Sequence, residues 1–132
     1  MIGIDTHILV RFLVQDDPVQ AAAARSLMDR CTVRAPGFIG REVLAETVLV
    51  LERAYGRTPG EISAVVLGLL ETEELVIEAA ADAAVAAAAY GAGAGDFTDH
   101  MIAAAAQRAG CQTLYTFDRR AARHNAVTLL VK

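Results

Sequence analysis

An α/β fold with a mainly parallel sheet is what this sequence predicts, and three observations predict it. Short apolar runs with a β-branched bias recur at Met1–Ile4, Leu75–Glu78, Thr113–Phe117 and Val127–Val131. Longer stretches between them carry apolar residues three and four apart, the spacing of a helix with one buried face. No repeat and no interdomain linker interrupts the 132 residues, so a single domain, 1–132, is expected.

The elements follow in order. Met1–Ile4 reads as a buried strand ending at Asp5. Thr6 to Val14 carries Ile8, Leu9, Phe12 and Leu13 as a helical stripe. Asp16-Asp17-Pro18 closes that helix and opens the next, with an Asp cap and Pro at the first helical position, running to about Arg30. Thr32 to Ala35 predicts a short strand before the Pro36-Gly37 break. Phe38 to Tyr55 is the clearest helix, from Val43, Leu44, Thr47, Val50, Leu51 and Ala54, with Gly56 as its C-cap. Thr58-Pro59-Gly60-Glu61 has capping-box spacing and opens a helix through Leu70. After the Leu75 strand, Asp82 is expected to cap an alanine helix that ends in Gly91-Ala92-Gly93-Ala94-Gly95. Asp96 opens a helix through about Ala109, stopped by Gly110, and the last two strands follow.

Bulk properties exclude several classes. The longest uncharged stretch, Ala83–Gly95, has about 13 residues and is broken by glycines, whereas a spanning helix needs ~20 apolar residues. The N-terminus lacks a basic region and meets Asp5 at once, unlike a signal peptide. Cys31 and Cys111 lie far apart with no CxxC spacing, as expected of free thiols in a cytoplasmic protein with no membrane association. A net charge of −4 argues against a phosphate-rich partner at first sight. If four of the 16 acids are metal ligands, the remaining 12 match the 12 basic residues, so bulk charge decides nothing.

The chemistry points to carboxylates. In open α/β sheets ligands bind beyond the carboxyl ends of the strands, where Asp5 and Asp118 stand. Either could simply cap the following turn. Glu46 lies within the most apolar helix, where a charge needs a partner such as Arg53 or Arg57, or else an exposed position. Asp96 and Asp99 sit three apart at a helix start and repel each other unless the helix N-terminus or a cation compensates. Carboxylates converging on a strand-end crevice select Mg²⁺ or Mn²⁺ and leave coordination positions for water and a substrate phosphate. His7, His100 and His124 lack zinc-site spacing, and neither a nucleophile elbow nor a Walker motif is present. The Gly91–Gly95 run mimics a dinucleotide loop but follows a helix, and Asp96 takes its third glycine position.

Four segments carry a family resemblance: Ile2-Gly3-Ile4-Asp5-Thr6-His7-Ile8-Leu9-Val10-Arg11, Val43-Leu44-Ala45-Glu46 running to Tyr55-Gly56, Gly95-Asp96-Phe97-Thr98-Asp99-His100-Met101-Ile102-Ala103-Ala104, and Leu114-Tyr115-Thr116-Phe117-Asp118-Arg119. In this order and spacing the chain resembles PIN-domain endoribonucleases, specifically the VapC toxins of bacterial toxin–antitoxin pairs, over essentially its whole length. The resemblance implies a three-layer fold with a central, mainly parallel sheet of four to five strands flanked by helices. It implies Asp5, Glu46, Asp99 and Asp118 as catalytic acids, with Asp5 and Asp99 as direct Mg²⁺ ligands (or Mn²⁺). Asp96 matches an additional acid of one family branch, Thr116 a hydroxyl that orients Asp118 or a water, and Thr6 an auxiliary position beside Asp5. An RNA substrate, a VapB-like antitoxin and a homodimer are implied with them. Position 7, often asparagine in the family, is His7 here, which leaves its role and its effect on the pH profile open.

Arg11, Arg41, Arg119, Arg120 and Arg123 each adjoin a motif and are candidates for RNA contact, or ordinary solvated surface. Two other readings compete. A catalytically silent PIN-like module that binds RNA or protein would be expected to lose acids, yet all four positions are filled. A haloacid-dehalogenase-type phosphatase wants a second Asp two residues after the first, and His7 stands there.

Overall fold

The computed structural model describes residues 1–131. Its elements are β1 (Ile2–Gly3), α1 (Thr6–Leu13), α2 (Pro18–Asp29), β2 (Gly37–Ile39), α3 (Arg41–Arg53), α4 (Pro59–Glu71), β3 (Leu75–Ile77), α5 (Ala80–Gly91), α6 (Phe97–Arg108), β4 (Leu114–Thr116), a 3₁₀ turn (Ala121–Arg123) and β5 (Val127–Leu129). Among the described residues all strand pairing is parallel, as expected for an α/β chain whose helices serve as crossovers. The strands form two pieces: β1-β2-β3 with β2 central, and β4-β5. Among the described residues no helix is long and apolar enough to cross a membrane.

The core lies between the β1-β2-β3 sheet and the helices. Ile4, Ile39 and Ile77 follow or end their strands and are buried with Leu9 of α1, Leu44, Val48 and Leu51 of α3, Ile62 and Val66 of α4, and Phe97 and Met101 of α6. Alanine contributes as well: Ala83, Ala86 and Ala87 bring α5 close against α4. At Gly91, a Cβ would stand 2.6 Å from the Ser63 Cβ. Ser63 is itself pinned by donating to the Ala87 carbonyl at 2.8 Å, so it cannot step aside cheaply. Alanine at 91 gains less than ~1 kcal/mol of helix propensity at a helix end but overpacks for about 1–3 kcal/mol. Gly91→Ala is therefore expected to lower stability by about 1 kcal/mol or more in denaturant unfolding, and Gly91→Ala at or above wild-type stability would show that α4 and α5 can separate freely.

Local signals held where the partners are local. Asp17 caps α2 by accepting from the Gln20 N–H at 3.0 Å, with Pro18 at the first position. The Thr58–Glu61 capping box is reciprocal, at 3.2 and 2.9 Å. The Glu61 carboxyl is lowered below its ordinary value by the Thr58 backbone bond first and the Thr58 side chain second.

Three expectations are corrected. Thr32–Ala35 is a turn and not a strand: the Thr32 hydroxyl accepts the Ala35 N–H at 3.0 Å, which diverts the backbone from a ladder. The strand is Gly37–Ile39, so the helix expected from Phe38 starts at Arg41. Gly37 faces Cys31, Leu75 and Ile4 with its hypothetical Cβ only 3.0 to 3.3 Å from each, which explains a glycine in a central strand. Asp82 does not cap the alanine helix. That helix begins at Ala80 behind Ala79, whose left-handed φ of 55° makes the turn, and Asp82 sits in its first turn bonded to Arg108 of α6.

Candidate acidic active site

Strand ends and helices carry the candidate residues: Asp5 follows β1, Glu46 lies in α3, Asp96 and Asp99 stand at the start of α6, and Asp118 follows β4. Asp5 begins α1 with its carbonyl, which accepts the Leu9 N–H at 3.0 Å, but its side chain makes no cap bond. The carboxylate is largely exposed and stands 3.7 Å from His7 Nδ1. Beside it Thr6 is buried, and its hydroxyl donates to Glu46 Oε1. Glu46 therefore takes neither Arg53 nor Arg57 as partner; a hydroxyl from the first turn of α1 tethers it, joining α1 to α3.

The second group surrounds the start of α6. Asp96 is the N-cap residue, with extended backbone and no side-chain cap bond, and is exposed. Asp99, in the first turn, is half-buried. Its carboxyl is raised above the ordinary value by burial first, then by the charges of Asp96 and Asp118, with His100 opposing. Asp118 lies beyond β4. Its N–H donates to Thr116 Oγ1 at 3.0 Å, and its Oδ1 accepts the Arg120 N–H at 2.8 Å. Asp118 thus acts as an Asx turn through one oxygen and sits in the field of Asp99 through its charge.

Asp99 thus shares its surroundings with Asp96 and Asp118, while Thr6, next to Asp5 in the chain, holds Glu46. Among the described residues no three acid, histidine or cysteine side chains converge closely enough to hold one ion. The donor chemistry fits a hard divalent cation: every candidate offers carboxylate oxygen, and Asp99 lies under the charge of Asp96 and Asp118, which a cation would relieve.

Between the start of α6 and the turn leading to β5 lies a cleft of about 660 Å³, with Asp96 and Asp99 on one wall and Arg120, Arg123 and His124 on the other. The arginines divide by burial. Arg11 is committed within the molecule, donating to Gln20 at 2.6 Å and Tyr55 at 3.1 Å and reaching Asp16 at 3.5 Å. Arg41 donates to the Met101 carbonyl at 2.8 Å and faces Asp82 at 3.9 Å, so it joins α3, α5 and α6. Arg119, Arg120 and Arg123 are exposed.

Arg41 is thereby a positioning residue linking the helix of Glu46 to the helix of Asp99. Arg41→Ala should cost about 1.5 kcal/mol of stability, the size of one charge-assisted hydrogen bond. Denaturant unfolding reads that loss, and wild-type stability in Arg41→Ala would show that the bond to the Met101 carbonyl carries none of it.

Two features were not visible beforehand. Glu78, just past β3, accepts the Arg41 N–H at 2.8 Å and caps α3 in place of the side chain Gly40 lacks. His100 and His124 pack edge-to-face on the cleft, centroids 5.3 Å apart. Only their proximity to motif residues signals them in sequence.

The PIN domain family model matches residues 2–127. No curated protein and no solved structure matches the chain. With parallel strands, acids at two strand ends and acids at the start of α6, spanned by that match, the chain belongs to the PIN domain family and has a nuclease-type fold.

Proposed function

We propose that this PIN domain is a Mg²⁺- or Mn²⁺-dependent endoribonuclease acting as the VapC-type toxin of a toxin–antitoxin pair. The observation that carries the nuclease reading is Asp99, half-buried and under the combined charge of Asp96 and Asp118 at the edge of a cleft lined by Arg120. Asp5 and Asp99 hold the cation, with Glu46 and Asp118 completing the acidic surround. When bound, such an ion lowers the pKa of its water and offsets charge on the phosphate. The chain's own residues do the positioning. Thr6 fixes the Glu46 carboxylate, Thr116 accepts the Asp118 N–H, and Arg41 ties α3 to α6.

The toxin reading rests on the resemblance of the four motifs, and brings with it a cytoplasmic location, a homodimer and a VapB-like antitoxin that fills the acidic cleft. Purified protein is expected to cut RNA with Mg²⁺ or Mn²⁺ and to stop on addition of EDTA; intact RNA with either ion sinks the nuclease reading. Ectopic expression should arrest growth, and co-expression of an adjacent antitoxin gene should restore it. Harmless soluble expression of a protein that still cuts RNA would remove the toxin role alone.

A further inference from the structure

The acids proposed to hold the cation are carried by different helices, and a relay of side-chain bonds joins those helices. Asp5 directly precedes α1, and the Thr6 hydroxyl in the first turn of α1 donates to Glu46 of α3. At the start of α3, Arg41 donates through Nη2 to the Met101 carbonyl of α6 at 2.8 Å, two residues beyond Asp99. Its Nη1 stands 3.9 Å from Asp82 Oδ2, in the first turn of α5. Arg108, in the last turn of α6, donates to both Asp82 oxygens, through Nε to Oδ2 at 3.3 Å and through Nη2 to Oδ1. Among the described residues, the Met101 bond and this bridge through Asp82 are the polar side-chain ties between α3 and α6.

Asp82 is the node of the relay. Its side chain is only 11% exposed, and its oxygens meet the two arginines alone among the described residues. An ion pair so sheltered gains little net stability, because desolvating the charges offsets their attraction. What it fixes is position. A divalent cation tolerates its oxygen ligands only within about 0.2 Å of their preferred distance. The placement of α6 against α1 and α3 therefore decides whether Asp99 and Asp5 can share one ion.

We propose that Asp82 is a positioning residue for the cation: by holding Arg41 and Arg108 together it sets α6, which carries Asp99, against α3 and, through Thr6 and Glu46, against α1. The inference rests on the reading of Asp5 and Asp99 as ligands and adds a residue of α5 that touches neither ion nor substrate.

The test is Mn²⁺ affinity, read by electron paramagnetic resonance well below the thermal midpoint of each variant. Asp82→Asn keeps the size of the side chain and removes its charge. Arg108→Gln cuts the α6 end of the bridge at a largely exposed residue, so the fold survives it. Both variants are expected to bind Mn²⁺ about tenfold more weakly than wild type, the low end for residues that orient metal ligands. Their charge changes have opposite signs. Through the field alone, Asp82→Asn would weaken cation binding and Arg108→Gln would strengthen it. Tighter binding in Arg108→Gln overturns the inference and reduces Asp82 to a charge in the field. Wild-type affinity in Arg108→Gln, with only its melting temperature lowered, overturns it too and leaves a structural brace. A folded wild type that binds no Mn²⁺ removes the cation reading itself, and this inference with it.

Discussion

Asp5→Asn and Asp99→Asn are each expected to lower metal-dependent RNA cleavage by about a thousandfold or more. The amide keeps the size of the side chain and removes the charge that holds the cation, and metal stabilisation of a phosphoryl transition state amounts to several kcal/mol at ~1.4 kcal/mol per tenfold. Neither substitution should disturb the fold. The Asp5 side chain makes no cap bond and is largely exposed, and Asp99 is not the N-cap of α6. The readout is the single-turnover rate on one RNA at saturating Mg²⁺. A loss below tenfold in either variant would make that residue structural and move the cation elsewhere.

Asp99→Asn should also make the metal-free protein more stable at neutral pH while abolishing most of its response to Mg²⁺. The Asp99 carboxyl is raised by burial, then by Asp96 and Asp118. Because the folded value lies above the unfolded one, the folded state binds more protons between the two. Stability contributed by protonated Asp99 is complete below the unfolded value of ~4 and is lost as pH rises through the raised folded value. Wild type in EDTA should therefore lose stability on passing upward from about pH 4, and Asp99→Asn should lose less. Mg²⁺ reverses the penalty in wild type, since binding to the native state alone adds about 2.7 kcal/mol at a hundredfold excess over Kd. Thermal unfolding with EDTA and with millimolar Mg²⁺ checks both halves. A metal-free mutant that melts below wild type, with equal Mg²⁺ responses, would mark Asp99 as a structural acid of the α6 start.

What could be read beforehand divides along sequence distance. The Asp17–Pro18 start and the Thr58–Glu61 box satisfy themselves within a few residues, so propensity and capping rules suffice. The order of the four acidic motifs likewise survives as a line of residues, and with it the family. Thr32–Ala35 misled because its β-branched residues look like a strand, while the Thr32 hydroxyl closes a turn that the pattern cannot show. Other misses rest on pairs far apart in the chain. Glu78 caps α3 from 37 residues away and Arg41 reaches Met101 across 60. The Thr6–Glu46 bond spans 40 residues, so Glu46 could be recognised as a charge needing a partner but not matched to one. The histidine pair on the cleft belongs to the same class. Neither ring stands in a metal-ligand spacing, and only folding places His124 against His100.

If Asp5 and Asp99 hold a divalent cation, as proposed, each carboxylate is needed for its binding. Mn²⁺ titration followed by electron paramagnetic resonance measures this directly, because it counts bound ions without requiring activity. Wild type should bind Mn²⁺, and Asp5→Asn and Asp99→Asn should each abolish that binding. Mn²⁺ binding that survives Asp5→Asn unchanged would contradict the claim, confining any cation to Asp96, Asp99 and Asp118.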